Sequence, residues 1–198
     1  MSRVVGLDLS LTSTGLALVG DGPITTWGIQ SRAPKTPRHP RTGKPLPPTL
    51  IQRHNRLISL ATNILIVVLR PERLPDLVVV EQPAFSRNLG STHDRSGLWW
   101  LVVSGLYRAK VQVAEVTPNQ RAKYATGKGT ADKDAVILAV ERRYPEARVN
   151  GNDEADALIL AAMGKRWLGE PIDDMPKVHL EAFDSVAWPT PNGREPPS

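Results

Sequence analysis

Short apolar stretches bounded by turn residues recur along the chain and predict a five-stranded sheet. They lie at residues 4–8, 16–19, 24–29, 76–81 and 111–116. The first three follow one another closely, and Asp21-Gly22 between the second and the third is typical of a tight turn. We therefore expect an antiparallel meander at the start of the sheet.

Longer stretches with apolar residues at helical spacing predict the helices, at 49–69, 97–110, 117–127, 130–143 and 152–169. Thr117 and Gln120 form a capping box, and we expect Thr130 and either Asn152 or Asp153 to cap the last two helices. With right-handed crossovers, the first, fourth and fifth strands become parallel. The result is a mixed sheet with helices on both faces, which is the ribonuclease-H-like architecture.

Two segments depart from these patterns. Residues 31–49 hold six prolines and five Lys or Arg residues without an acid, which excludes a packed helix or a central strand. This insert is either a solvated, extended loop or a basic arm that follows a phosphate backbone. Residues 170–198 are Pro-rich and sparsely apolar, so we expect a loosely ordered tail after a single domain over 1–169.

The amino-acid composition limits the kinds of metal site and of binding partner that the chain can have. The 198 residues include no cysteine, which excludes disulfides and cysteine-ligated zinc, and the four His residues lack close-pair spacing. A bound metal would therefore have oxygen ligands, as Mg²⁺ and Mn²⁺ do. The net charge of +5 favours a polyanionic partner. Since no stretch resembles a membrane span or a signal region, we expect a cytoplasmic protein without membrane contact.

Two of the predicted strands carry one acid each. Asp8 lies in the first strand, before a Ser/Thr turn that Gly15 closes, and Glu81 ends the fourth strand, which the topology places beside the first. Asp153 and Asp156 are three residues apart and share one face at the start of the last helix. Four converging carboxylates repel one another. Two divalent metal ions about 4 Å apart would remove this conflict and would suit phosphodiester cleavage.

Each acid also has an ordinary structural interpretation. Asp8 could be a carboxylate neutralised by its surroundings, and Glu81 could mark only the end of a strand. Asp153 could cap the helix, and Asp156 could be a solvated acid that the helix dipole stabilises. The occurrence of one acid in each of two neighbouring apolar strands favours the metal site.

Four segments resemble the RuvC-type Holliday-junction resolvases of the ribonuclease-H-like superfamily, and the chain is similar to a divergent, phage-like member. The segments are GLDLSLTSTG around Asp8, VVVEQPAF around Glu81, TPNQRAKYATGKGTADKDAV at 117–136 and NDEADALILA at 152–161. The resemblance covers about residues 3–168. It implies a metal-binding catalytic tetrad that consists of Asp8, Glu81, Asp153 and Asp156.

The resemblance also implies further site residues. Lys133 matches a lysine that assists catalysis in the family, although a solvated surface lysine is the alternative. A second family lysine falls on Ala122, with Arg121 and Lys123 on either side. Phe85 is the candidate for the aromatic side chain that wedges into the junction, and a core residue is the alternative. We expect seven residues to contact DNA: Phe85, Arg87, Arg121, Lys123, Lys128, Arg38 and Arg41.

Together, the residues and the resemblance predict a crossover junction endodeoxyribonuclease that resolves four-way DNA junctions by paired nicks. It would use two Mg²⁺ ions, for which Mn²⁺ could substitute, and no nucleotide cofactor. A homodimer fits the two-fold symmetry of a junction, and the helix at 97–110 could supply part of its interface. The alternatives are a nuclease of this fold for RNA–DNA hybrids or flaps, a phosphotransferase or ATPase with a similar first strand, and an inactive junction-binding module.

Overall fold

The computed structural model describes residues 1–70, 72–83 and 89–190, without the side chains of residues 89–91. In chain order, the elements within these residues are β1 (Val4–Asp8), β2 (Ser13–Val19), β3 (Thr25–Gln30), α1 (Leu50–Val68), β4 (Leu77–Glu81), α2 (Leu89–Arg108), β5 (Gln112–Val116), α3 (Pro118–Thr126), α4 (Lys133–Arg143), α5 (Asn152–Trp167) and α6 (Lys177–Asp184). No helix among the described residues has both the length and the apolar character needed to cross a bilayer.

The five strands form one sheet in the order β3-β2-β1-β4-β5. β1, β2 and β3 pair antiparallel, and β1, β4 and β5 pair parallel. This confirms the predicted meander and the mixed, ribonuclease-H-like sheet. Because β1, β3, β4 and β5 run in the same direction, their carboxyl ends lie at one edge, where sheets of this kind place their functional groups.

Alternating side chains of the strands pack into two apolar cores, one on each face of the sheet. On one face, Val4 and Val79 pack with α5, whose residues from Glu154 to Lys165 are buried all round. On the other face, Val5 and Leu7 pack with α1 and α2. The predicted helices on both faces are therefore confirmed, and α5 is the central helix of the fold.

The helix boundaries differ from the predicted ones at three places. α2 begins at Leu89 and not at residue 97, since Arg53 of α1 binds Asp94 at 2.5 Å and holds this polar part of the helix. Asp132, not Thr130, caps α4 by accepting a hydrogen bond from the Ala135 N–H at 2.8 Å.

The third difference lies at the start of α5. Gly151 is the N-cap residue, with φ 97°, and no side chain caps this helix. This backbone conformation suits glycine and almost no other residue. Asn152 and Asp153, the predicted caps, consequently lie inside the first turn, which leaves the carboxylate of Asp153 available for other contacts.

Residues 170–190 pack on the domain, although we expected a loosely ordered tail. Asp173 has a fully buried side chain that binds the guanidinium of Arg166 at 2.5 Å. It also accepts hydrogen bonds from the hydroxyls of Tyr124 and Tyr144. Burial and the neighbouring Asp173 raise the pKa of both tyrosines above the ordinary value. This network ties α3, α4 and α5 to the segment that precedes α6.

α6 completes this packing against α3. Trp188, which follows it, stacks on Trp167 of α5 with the ring centroids 5.4 Å apart. The rest of the predicted tail, 191–198, lies outside the described residues.

Candidate active site

The four predicted acids lie together at the carboxyl edge of the sheet. Leu7 of β1 pairs with Val80 of β4, so Asp8 and Glu81 follow at equivalent positions on adjacent parallel strands. Asp153 and Asp156 reach the same edge on the first turns of α5. All four carboxylates line one cavity of about 330 Å³.

Gly15 of β2 lets the first turn of α5 approach the strand beside Asp8. Asp8 and Gly15 pair in the antiparallel ladder. A Cβ atom at Gly15 would lie only 1.9 Å from the carbonyl oxygen of Asp153. Glu154 holds the same turn to β3, because its carboxylate accepts a hydrogen bond from the Thr26 hydroxyl at 2.7 Å. Gly15 thus lies within β2 and permits a close contact with α5. The sequence had predicted only that this glycine closes a turn.

Arg121 of α3 lies within the acid cluster. Its Nε donates to Glu81 Oε2 at 3.0 Å, and its Nη1 lies 2.6 Å from Asp156 Oδ1. The residue is only 7% exposed. We predicted Arg121 as a DNA contact, but in the structure its guanidinium faces two carboxylates and not the surface.

Two of the acids have raised pKa values despite this arginine. Burial, followed by Glu81 and the two aspartates of α5, raises the pKa of Asp8 well above its ordinary value. Burial raises the pKa of Asp156 to about 7, against the lowering effect of Arg121. Carboxyl pKa values that burial and neighbouring acids raise in this way are frequent in functional sites.

The donor set fits a hard divalent cation, which prefers carboxylate oxygens. Among the described residues, however, no three ligand-type side chains already form a ready-made metal site. The guanidinium of Arg121 takes up oxygens of both Glu81 and Asp156. A cation that binds these two acids therefore meets the positive charge of the arginine.

Two cations and one aromatic side chain are among the other residues that line the cavity. Lys133, the first residue of α4, lies at the cavity and lowers the pKa of Asp156, in line with its expected position. Trp99 and Arg95 of α2 also line it, and the Trp99 indole donates to the Glu81 carbonyl at 3.0 Å. We had not predicted these two as site residues. Their i, i+4 spacing on one helix could have revealed them, had α2 been predicted from its true start.

The residues predicted to contact DNA fall into three groups. Phe85 and Arg87 lie outside the described residues. The side chains exposed to solvent are those of Arg38, Arg41 and Lys128. Arg121 and Lys123 pair with acids, and Lys123 binds Glu181 of α6 at 2.7 Å.

The insert at 31–49 begins at the same edge of the sheet as the acids, because β3 ends there at Gln30. The Ser31 N–H donates to the carbonyl of Thr12, in the turn that follows Asp8. Further on, the N–H of His39 donates to the carbonyl of Lys44 at 2.8 Å, which closes a small hairpin. A groove of about 520 Å³ separates the base of this insert from α1.

Comparison with known proteins identifies relatives along most of the chain. No protein-family model matches. The crossover junction endodeoxyribonuclease RuvC of Hyphomonas neptunium is 30% identical over 159 residues, which are 80% of this chain and 87% of that protein. RuvC of Parvibaculum lavamentivorans is 28% identical over 157 residues, which are 79% of this chain and 82% of that protein.

Solved structures show the same fold. Thermus thermophilus RuvC in complex with a Holliday junction substrate matches with a TM-score of 0.57 and 22% identity, over 81% of this chain and 91% of that chain. The yeast mitochondrial Holliday junction resolvase Ydc2 matches with a TM-score of 0.51 and 13% identity, over 81% and 76% of the chains. The relatives confirm the resemblance noted in the sequence, and the chain belongs to the RuvC family of crossover junction endodeoxyribonucleases.

Proposed function

We propose that this protein is a Holliday-junction resolvase, which nicks opposed strands of a four-way DNA junction in a divalent-metal-dependent reaction. The observation that carries the proposal is the convergence of four carboxylates, from β1, β4 and α5, on one cavity at the carboxyl edge of the sheet. A RuvC relative that is 30% identical supports the reaction and the substrate.

Asp8, Glu81, Asp153 and Asp156 are the proposed metal ligands. We propose Mg²⁺ as the physiological metal, with two ions per site, and Mn²⁺ as a substitute. When bound, such a pair of ions activates a water molecule for in-line attack and stabilises the leaving oxygen.

The remaining side chains of the cavity orient the substrate and offset its charge. Lys133 lines the same cavity as Asp156 and can neutralise charge that develops on the scissile phosphate. Trp99 fixes the end of β4 through the Glu81 carbonyl, which keeps the Glu81 carboxylate at the cavity. Arg95, also at the cavity, provides a second cation for the DNA backbone.

The exposed basic residues of the insert support binding to branched DNA. Arg38 and Arg41 lie on a segment that leaves the sheet beside the acids, so a phosphate backbone that enters the cavity can contact both sites. The bacterial relatives support the proposal that the protein acts in a bacterial or phage-infected cytoplasm.

Substrate choice tests this proposal. A synthetic mobile four-way junction, a linear duplex of the same sequence, an RNA–DNA hybrid and a flap are incubated with the protein in Mg²⁺. We expect paired nicks on opposed strands of the junction alone, with 5′-phosphate and 3′-hydroxyl ends. Preferential cleavage of the hybrid or the flap would retain the metal site but overturn the proposed substrate.

A further inference from the structure

The guanidinium of Arg121 occupies the space between two of the proposed metal ligands. Nε donates to Glu81 Oε2 at 3.0 Å, and Nη2 donates to Oε1 at 3.4 Å, so both oxygens of this carboxylate have an arginine partner. On the other side, Nη1 lies 2.6 Å from Asp156 Oδ1. The three side chains are all nine-tenths or more buried.

The position of Arg121 is built into the fold. The capping box of Thr117 and Gln120 defines the start of α3. Gln120 also donates to the carbonyl of Ser185, and Lys123 binds Glu181, so the C-terminal segment clamps the helix from outside. Helix α3 therefore presents the arginine to the acids in the absence of any ligand.

This arrangement has an electrostatic cost and an electrostatic benefit. Removal of a guanidinium from water is unfavourable unless carboxylates compensate it, as Glu81 and Asp156 do here. Conversely, four converging carboxylates, of which Glu81 and Asp156 are buried, would destabilise the fold by mutual repulsion without a cation. In the metal-free protein, Arg121 thus offsets part of the negative charge, at Glu81 and Asp156.

A divalent metal competes for the same oxygens. An ion at Glu81 must bind an oxygen that already accepts from Nε or Nη2, and the positive guanidinium beside that oxygen repels it. Within the described part of the chain, Asp8 and Asp153 make no hydrogen bond or ion pair with Arg121.

We propose that Arg121 is a resident cation of the acid cluster, which holds Glu81 and Asp156 in the metal-free protein and leaves at least one of them when metal binds. The inference rests on the proposed metal-dependent function. It makes Arg121 a positioning residue that sets metal affinity, and it makes metal loading stepwise, first at Asp8 and Asp153 and then at whichever of Glu81 and Asp156 the arginine releases.

Calorimetric titration with Mn²⁺ at pH 8 tests this competition in four proteins: wild type, R121Q, R121K and the control R142Q. Glutamine removes the competing charge, so R121Q should bind Mn²⁺ about tenfold more tightly or better, yet unfold at a lower temperature without metal. R121K keeps the positive charge but loses the paired hydrogen bonds of the planar guanidinium. Its affinity for Mn²⁺ should lie between those of wild type and R121Q. R142Q alters an exposed arginine of α4 and should match wild type.

The outcomes separate this inference from the proposed function. Equal or weaker Mn²⁺ binding by a folded R121Q protein, beside a wild type that binds Mn²⁺ and a D8N variant that does not, would overturn the role of Arg121 alone. A wild type that binds no Mn²⁺ would overturn the metal-dependent function itself.

A second measurement needs no variant of Arg121. In the metal-free wild type, the Nε–H of Arg121 should give a nitrogen-15 NMR signal that exchanges slowly with solvent, because it is buried and hydrogen-bonded. Saturating Mg²⁺ should accelerate this exchange as the guanidinium leaves Glu81. A signal that remains equally protected at saturation would contradict displacement.

Discussion

The absence of a side chain at Gly15 lets α5 lie close to β2, and this close approach positions the acids of α5. Its replacement by alanine would put a Cβ atom 1.9 Å from the Asp153 carbonyl oxygen. Because this oxygen belongs to the backbone of α5, only a shift of the helix can relieve the clash. Overpacking of this kind costs about 1–3 kcal/mol of the free energy of unfolding. A displacement near 1 Å costs about 100-fold in rate.

We therefore predict that Gly15→Ala lowers the melting temperature by several degrees and junction cleavage by about 100-fold. Gly22→Ala is the matched control, since a Cβ atom there meets nothing within 4 Å. Thermal unfolding and single-turnover cleavage measure the two effects. Wild-type cleavage by a folded Gly15→Ala protein would show that the approach of α5 does not position the site.

Asp156 makes the metal-free stability dependent on pH. Its pKa is raised from 3.8 to about 7 in the folded protein, mainly by burial. The folded state thus keeps a proton that the unfolded chain has released, and the free energy of unfolding falls as pH rises between these values. Asp8, whose pKa is also raised, acts in the same direction.

We predict that the melting temperature of the metal-free protein falls as the pH rises from 5 to about 7, and that Asp156→Asn flattens this dependence. Saturating Mg²⁺ at pH 8 should restore the stability of wild type. Thermal unfolding over the pH range measures the pH dependence of the melting temperature. Asp134→Asn, at the exposed start of α4, is the control. Equal pH slopes for wild type and Asp156→Asn would mean that this carboxyl does not titrate abnormally.

The insert at 31–49 has the strongest excess of positive charge along the chain. Its five Lys and Arg residues have no acidic neighbour in sequence, and the insert leaves β3 at the edge that carries the acids. Each phosphate that a cation neutralises contributes about 0.9 to the slope of log K against log salt concentration.

We predict that alanine at the five basic positions weakens junction binding and flattens its salt dependence; the positions are Arg32, Lys35, Arg38, Arg41 and Lys44. Fluorescence anisotropy over a range of salt concentrations measures the slope. Arg142→Ala with Lys177→Ala, two exposed cations on other elements, is the control. An unchanged slope for the five-fold variant would exclude the insert from DNA binding.

The strands were predictable because their signals are local. Val-rich stretches, the Asp21-Gly22 turn and the capping box at Thr117 each determine structure over a few residues. Asp8 and Glu81 could be paired in advance because the strand order follows from handedness rules.

Long-range contacts could not be predicted in the same way. The C-terminal segment is polar in sequence, yet the buried Asp173 joins it to Arg166 and to two tyrosines from other helices. Arg121 likewise has the sequence pattern of a surface arginine on a short helix, and only the packing of α3 against α5 and α6 brings it to Glu81.

Helix α2 presents large apolar side chains to solvent. Trp100 is 61% exposed and Tyr107 is 59% exposed, and their i, i+7 spacing places them on one face of the helix. Ile66 of the adjacent α1 is 66% exposed. We propose this face as the interface of a homodimer, which would place two active sites on opposed strands of a junction.

The predicted result is that Trp100→Ala combined with Tyr107→Ala shifts the protein from dimer to monomer in sedimentation velocity and uncouples the paired nicks. Leu138→Ala, at an exposed leucine of α4, should do neither. A wild type that sediments as a monomer at assay concentrations, or a double variant that remains dimeric, would exclude this interface.

The most direct test of the account compares junction nicking in Mg²⁺ by wild type and by four single amide variants: Asp8→Asn, Glu81→Gln, Asp153→Asn and Asp156→Asn. Binding of the junction is measured alongside without metal, and Asp134→Asn is the control. We predict that each of the four variants loses at least about 100-fold in cleavage and still binds the junction, since a direct metal ligand should matter no less than an outer-shell partner. Near-wild-type cleavage by any one of them would show that the four carboxylates do not act as a single metal site.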